Sequence, residues 1–177
     1  MRILGVDPGL QITGYGLIEA EGAAARLLEG GVVKPDPGLT LERRLLTLHE
    51  SISSILAEFQ PDAVIVEELY AKYAHPRTAI LMGHARGTIL LAAAQRGIPF
   101  CGYEASLVKR SLTGNGRATK TQVAHMVCHL LGLKEPPSPE DVTDALALAL
   151  CHASPGRQVF ERPKGRRGLP EAIARQL

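Results

Sequence analysis

Four acidic residues stand where an apolar stretch ends or begins, and that placement makes them candidates for chemistry. Ile3-Leu4-Gly5-Val6 is an apolar run that delivers Asp7 at its end, and Pro8-Gly9 turns the chain directly afterwards. A carboxylate at the end of a buried strand, beside Gly-rich turns, can hold a divalent cation against a phosphate that the backbone approaches closely. Ala63 to Val66 repeats the pattern with Glu67 at its end. Pro136 to Ala153 adds a third acidic element. Ser138 suits a helix cap and Pro139 the first helical position, so Asp141 falls at the third and Asp144 one turn later on the same face. Beyond Asp144 this helix is apolar nearly all round, so carboxylates at its start are costly to bury unless a cation neutralises them. Three of the acids also have a plainer reading: Asp7 solvated in a hairpin turn, Asp141 and Asp144 as ordinary residues of a helix start.

The intervening elements bring these acids together. Thr13 to Ile18 reads as a strand returning beside the first, and Ala25 to Lys34 as a third, broken by Pro35 to Gly38. Thr40 can cap a helix on which Leu41, Leu45, Leu48, Ile52, Ile55 and Phe59 recur at helical spacing, a stripe for packing on a sheet. Thr78 to Arg96 is a further helix, with Gly83 and Gly87 four apart. Each internal glycine costs about 1 kcal/mol relative to Ala, so close packing, on the sheet or on a second subunit, is expected there. Pro99 to Tyr103 is a fifth strand, Ala105 to Leu112 a short helix, and Thr119-Lys-Thr-Gln122 fits a capping box before a helix running to Leu131. In open α/β sheets, sites form beyond the carboxyl ends of neighbouring strands, which is where Asp7 and Glu67 can meet.

Basic and aromatic residues cluster in two connecting segments. Glu68 to Arg77 reads as a loop, with Tyr70 and Tyr73 beside Lys72 and Arg77, a mixture suited to base stacking and phosphate contact. Thr113 to Arg117 contains Gly114 and Gly116, which permit close backbone approach to a phosphate, with Arg117 and Lys120 alongside and Lys109 just before. Beyond Pro155 the chain holds six Arg and Lys residues with little apolar periodicity until its end, a basic extension suited to nonspecific nucleic-acid contact. The 177 residues suit one domain with its own core, and a hydrophobic share of 45% with 21% charged residues is that of a globular chain. The net charge of +2 does not by itself mark a nucleic-acid binder. Three scattered cysteines point to a reducing compartment, and neither a leader nor a membrane-length apolar run is read, so a cytoplasmic location and no membrane are expected.

Taken together, Asp7-Pro-Gly with Thr13-Gly-Tyr-Gly16, Val66-Glu67-Glu68, Lys120-Thr-Gln-Val-Ala-His-Met126 and Asp141-x-x-Asp144-Ala-Leu-Ala147 resemble the RuvC family of Holliday-junction resolvases over roughly residues 1 to 153. The resemblance implies an α/β, ribonuclease-H-like fold: a five-stranded mixed sheet, its first three strands antiparallel, flanked by helices. The expected division is a ribonuclease-H-like nuclease domain over residues 1–154 and the basic, flexible extension over 155–177. The resemblance further implies a homodimer on four-way junction DNA, working with a branch-migration helicase. Carried over by position, Asp7, Glu67, Asp141 and Asp144 match the family's metal ligands, expected to hold two Mg²⁺ ions, with Mn²⁺ as a substitute. Lys109 and Lys120 match basic positions near the cleaved strand, Lys120 as part of the catalytic set. Tyr70 falls where the family places an aromatic that meets the junction bases. Of the adjacent acids Glu67 and Glu68, alternation along the strand turns Glu68 to the opposite face, leaving Glu67 for the metals. Paired divalent ions relieve charge at the attacking and leaving oxygens of a phosphodiester, so no protein nucleophile is required.

Two readings from other classes stand beside this one. Actin-like sugar kinases and ATPases also open with a strand, an Asp and Gly-rich turns, but they usually need a duplicated domain that this length does not accommodate. A junction-binding module without catalysis would keep the basic loops but would not need four acids.

Overall fold

The computed structural model describes residues 1–22, 24–69 and 76–154. The N-terminal apolar run forms β1 (Arg2–Asp7), and it is central because both of its edges are paired. On one side lies β2 (Thr13–Glu21), antiparallel to β1, followed by β3 (Ala24–Val33), antiparallel to β2. On the other side β4 (Ala63–Glu67) and β5 (Phe100–Tyr103) add in parallel, giving the order β3-β2-β1-β4-β5. This is the ribonuclease-H-like mixed sheet that the resemblance implied, with its first three strands antiparallel.

Both faces of the sheet are covered, which is why its inner strands read as continuous apolar runs rather than as alternating ones. Leu4, Val6, Leu17, Val64 and Val66 pack beneath α1 (Leu41–Phe59) and α2 (Pro76–Gln95). Ile3, Ile18 and Ile65 pack beneath α5 (Glu140–Ala153), with α3 (Ala105–Thr113) and α4 (Lys120–Leu131) alongside it. On α1 the fully covered residues are Leu48, Ile52 and Leu56, while Leu41, at its first position, remains exposed. At Gly5 and Gly14 helix α5 rests directly on the sheet backbone. A Cβ on Gly5 would run into the carbonyl of Ala145, and one on Gly14 into the backbone of Asp141. Nine of its residues, Val142, Thr143 and Ala145 to Cys151, are buried, as the apolar pattern after Asp144 predicts.

Three local expectations need adjustment. Thr119 and Gln122 do form the capping box, each side chain bonded to the other's backbone N–H. For α5, however, the cap is Pro139 in an extended conformation rather than Ser138, and the helix starts at Glu140. Asp141 is therefore the second helical residue, not the third. The α2 glycines do not serve packing on the sheet, because a Cβ on Gly83 or Gly87 would meet nothing within 4 Å. The sheet side of α2 is instead Ala85, Ile89, Ala92 and Ala93, and its outer face carries Ile80 and Leu91 at 59% and 54% exposure. Among the described residues no helix is long and apolar enough to cross a membrane.

Candidate active site

Parallel pairing of β1 with β4 sets Val6 opposite Val66, so the next residues, Asp7 and Glu67, leave the sheet side by side. The alternation of the pleat turns both toward α5, on the side of Ile3 and Ile65. The turn after Asp7 is braced twice. Thr13 Oγ1 donates to the Gly9 carbonyl at 2.5 Å and accepts from the Gly9 N–H at 3.2 Å, and an Arg44 guanidinium N–H donates to the Leu10 carbonyl at 2.8 Å. Thr13 is fully buried, so these bonds hold the turn without competition from water.

Asp7, Glu67 and Asp144 line one cleft of about 310 Å³ together with Lys109 and Lys120. Asp144 reaches it from the second turn of α5 and Lys109 from α3, while Lys120 stands at the first residue of α4, placed there by the capping box. Lys120 Nζ lies 2.9 Å from Asp144 Oδ2 and 3.7 Å from a Glu140 oxygen. Asp141 lies in an adjoining groove that shares Asp7 and Met82 with the cleft and has Arg44 and Thr78 on its walls. The cleft is thus a meeting of three carboxylates and two lysines from five elements, with the fourth carboxylate one turn away on α5.

The electrostatics of the cleft are those of an over-filled acidic site. Burial, and after it the charges of Glu67, Asp144 and Asp141, push the Asp7 carboxyl up to about 7 against a partial offset from Lys120. Burial and Asp144 also raise Glu67, while a hydrogen bond from Asp7 and the nearby Lys120 and Lys109 act the other way. The Lys120 ammonium is raised chiefly by its bond to Asp144. Among the described residues no three His, Cys, Asp or Glu side chains close on a single point as the groups now stand. Hard oxygen donors buried and crowded so that one of them keeps its proton up to about pH 7 nevertheless fit a divalent cation. Such an ion would replace that proton and relieve the mutual repulsion.

The remaining sequence-expected residues are more scattered. Tyr70 and Lys72 lie outside the described residues, as do Tyr73 and the tail from 155 onward. Arg77 is exposed in the first turn of α2 and does not line the cleft. Gly114 ends α3 in the left-handed region at φ 76°, and its N–H is bonded to the Arg110 carbonyl. That amide is therefore already committed, and helix termination accounts for this glycine. Gly116 and Arg117 lie in the same loop, where the Arg117 N–H is held by Asn115 Oδ1 at 2.9 Å, and neither lines the cleft. Glu68 points to the α2 side of the sheet, where it ion-pairs with Arg86 at 3.1 Å. Sequence reasoning passed over Arg86 and Arg44. Arg86 left one signal, a cation beside Ala85 and Ile89 on a helix that is mostly apolar.

Comparison with known proteins shows the family and the fold. The family model described as crossover junction endodeoxyribonuclease RuvC matches residues 3–152. A crossover junction endodeoxyribonuclease RuvC of Rhodopirellula baltica is 48% identical over 84% of this chain and 84% of its own. The solved Thermus thermophilus RuvC structure superposes with a TM-score of 0.81 at 42% identity, covering 86% of this chain and 93% of that one. The same protein in complex with Holliday junction substrate gives a TM-score of 0.80 at 40% identity over the same shares. With a family model spanning nearly the whole described fold and relatives this similar over most of their length, the chain belongs to the RuvC family of crossover junction endodeoxyribonucleases.

Proposed function

We infer that this chain is a metal-dependent endodeoxyribonuclease that resolves four-way Holliday junctions by paired symmetric nicks, in homologous recombination and DNA repair. The observation that carries the reading is the cleft itself. Asp7, Glu67 and Asp144 converge there with Lys109 and Lys120, and Asp141 adjoins, in a chain of the RuvC family. Asp7, Glu67, Asp141 and Asp144 would hold Mg²⁺, two ions per subunit with Mn²⁺ as a substitute. When bound, the metal supplies an activated water and charge relief at the phosphodiester.

The chain's own groups do the rest. On loading, Asp7 would give up the proton that burial and the neighbouring acids keep on it, so a proton would be released near neutral pH. Lys120 leaves Asp144 free to ligate and, with Lys109, holds the scissile phosphate and offsets its charge. Tyr70 stacks on a base at the opened junction, Lys72, Arg77 and Arg117 meet flanking phosphates, and the Gly114–Gly116 loop follows the strand.

Two sites are needed to cut two strands, which calls for a homodimer matching the junction's two-fold symmetry. The outer face of α2 supports it: Ile80 and Leu91 are exposed, and the space above Gly83 and Gly87 lets a second backbone approach. A cytoplasmic location belongs to the reading on its three scattered cysteines, and a branch-migration helicase as further partner on family resemblance. The test is incubation of a labelled four-way junction with Mg²⁺ or with chelator. Symmetric nicks that appear only with the ion are expected. Tight junction binding without nicking, at any Mg²⁺ or Mn²⁺ concentration, would leave a binding module.

A further inference from the structure

We propose that Arg86 is a positioning residue for the active site, one side chain that sorts two adjacent acids to opposite faces of the sheet. The chain places Glu67 and Glu68 in succession at the carboxyl end of β4, where the ladder stops and neither is locked by further strand pairing on both sides. The pleat sends Glu67 toward α5 and the cleft, and Glu68 toward α2. Arg86 meets both residues there. Its Nε donates to the Glu67 carbonyl at 3.1 Å, and its Nη2 to Glu68 Oε1 at 3.1 Å. Its side chain is only 19% exposed, and the planar guanidinium makes both bonds from one rigid fork, which an ammonium cannot do.

Two further features hold Glu68 in this place. Its N–H extends the β4–β5 ladder by one bond, to the Tyr103 carbonyl at 2.9 Å. Its carboxylate lies across Gly102, where a Cβ would overlap its oxygen. The space for Glu68 is thus made by a missing side chain on β5 and its charge is met by a cation from α2. The consequence falls on the neighbouring residue. Rotation of the Glu67 peptide would swing its side chain out of line with Asp7, and an unpaired Glu68 at the rim would offer a competing carboxylate beside a cleft that already holds three. Arg86 blocks both movements with the two ends of one group. It touches neither the cleft nor any reacting atom, and the adjacent-acid motif carries no sign of it.

The proposal rests on the nuclease reading above, so its test needs a readout that does not depend on cutting. Mn²⁺ binding, measured by calorimetry or by loss of the free-ion electron-resonance signal, supplies one, alongside junction cleavage rates and metal-free junction affinity. Arg86→Ala is expected to weaken Mn²⁺ binding and to slow cleavage, each by about 10- to 100-fold, the usual range for groups that orient metal ligands, while metal-free junction affinity stays within about threefold. Adding Glu68→Gln to Arg86→Ala should recover part of the Mn²⁺ affinity by removing the competing charge. Arg86→Lys keeps the ion pair and loses the fork, so it should fold as the wild type does and fall between the two in Mn²⁺ affinity. Mn²⁺ affinity in Arg86→Lys and Arg86→Ala equal to the wild type would overturn the proposal. So would a loss that tracks the melting temperature alone. Absence of cleavage by the wild type would sink the nuclease reading and still leave the Mn²⁺ comparison to be read.

Discussion

The two ends of the central strands carry acids of the same kind in opposite circumstances. At the end where β1 and β4 begin, Asp62 and Glu19 both have partners. Asp62 accepts the Arg2 N–H at 2.7 Å, Arg2 also donates to the Phe59 carbonyl, and Glu19 sits between Arg2 at 3.7 Å and Arg26 at 2.5 Å. The Arg26 hydrogen bond, with help from Arg2, holds Glu19 below the usual carboxylate range. At the end where the same strands finish, Asp7 is pushed up to about 7 by burial and three other acids. One end is arranged so that its charges cancel when the chain folds. The other is left unbalanced by folding, and under the proposed function a divalent cation would balance it.

That contrast can be broken most sharply at Asp7. Asp7→Asn should lower junction cleavage on the order of 10³-fold or more, by analogy with loss of a preorganised charge-stabilising group, while metal-free junction affinity changes little, because phosphate contacts supply most of it. Single-turnover cleavage and a binding titration on the same junction check both halves, and a variant cutting near the wild-type rate would remove Asp7 from the ligand set.

The next effect is on stability with pH. The folded Asp7 pKa of about 7 lies above the ordinary 3.8, so between these values the folded chain holds a proton that the unfolded chain has shed. The stabilisation is full below the lower value and is lost as pH rises through the upper one, on the order of 4 kcal/mol for this group at most. Glu67, also raised, acts in the same direction. Denaturant melts in chelator from pH 4 to 8 should therefore fall in midpoint, Asp7→Asn should flatten the fall, and added divalent ion should reverse it. A midpoint that climbs across this range would contradict the crowding of the cleft.

The balanced end should respond far less. Asp62→Ala removes one carboxylate-to-backbone bond at the surface and is expected to cost about 1 kcal/mol in melts, with cleavage unchanged. Arg26→Ala should have the smallest effect, a shift that added salt erases, since its pair with Glu19 is open to solvent. A larger loss from Arg26→Ala than from Asp62→Ala would mean that this end does more than cancel charge.

What the sequence revealed and what it hid divide along physical lines. Asp7, Glu67, Asp141 and Asp144 were legible because each stands at the boundary of an apolar run, and such boundaries are local. That Glu67 and Glu68 face opposite sides of the sheet was legible from the pleat, and Glu68 indeed bonds on the α2 side. Arg86 was not, because its meaning depends on which residue of another element lies opposite, and period and composition do not carry that. The start of α5 was misplaced by one residue because Ser138 and Pro139 each have a cap-like preference and the local pattern does not rank them. Gly83 and Gly87 signalled close approach without saying by what, and only the open space above them separates the two sides of α2.

The flush seating of α5 on Gly5 and Gly14 would bear, under the proposed function, on which ion the cleft accepts. The gap between Asp7 and the α5 acids is gauged by backbone resting on backbone, with no side chain that could be exchanged for a slightly shorter or longer one. Mg²⁺ binds oxygen at about 2.0–2.1 Å and tolerates little departure, whereas Ca²⁺ accepts about 2.3–2.6 Å and irregular shells. One methyl at Gly5 would leave every carboxylate in the chain and still widen the mouth in which they meet. The ratio of Mg²⁺ to Ca²⁺ affinity in Gly5→Ala would register that widening. Discrimination between ions of equal charge would then reside in two residues that offer no ligand at all.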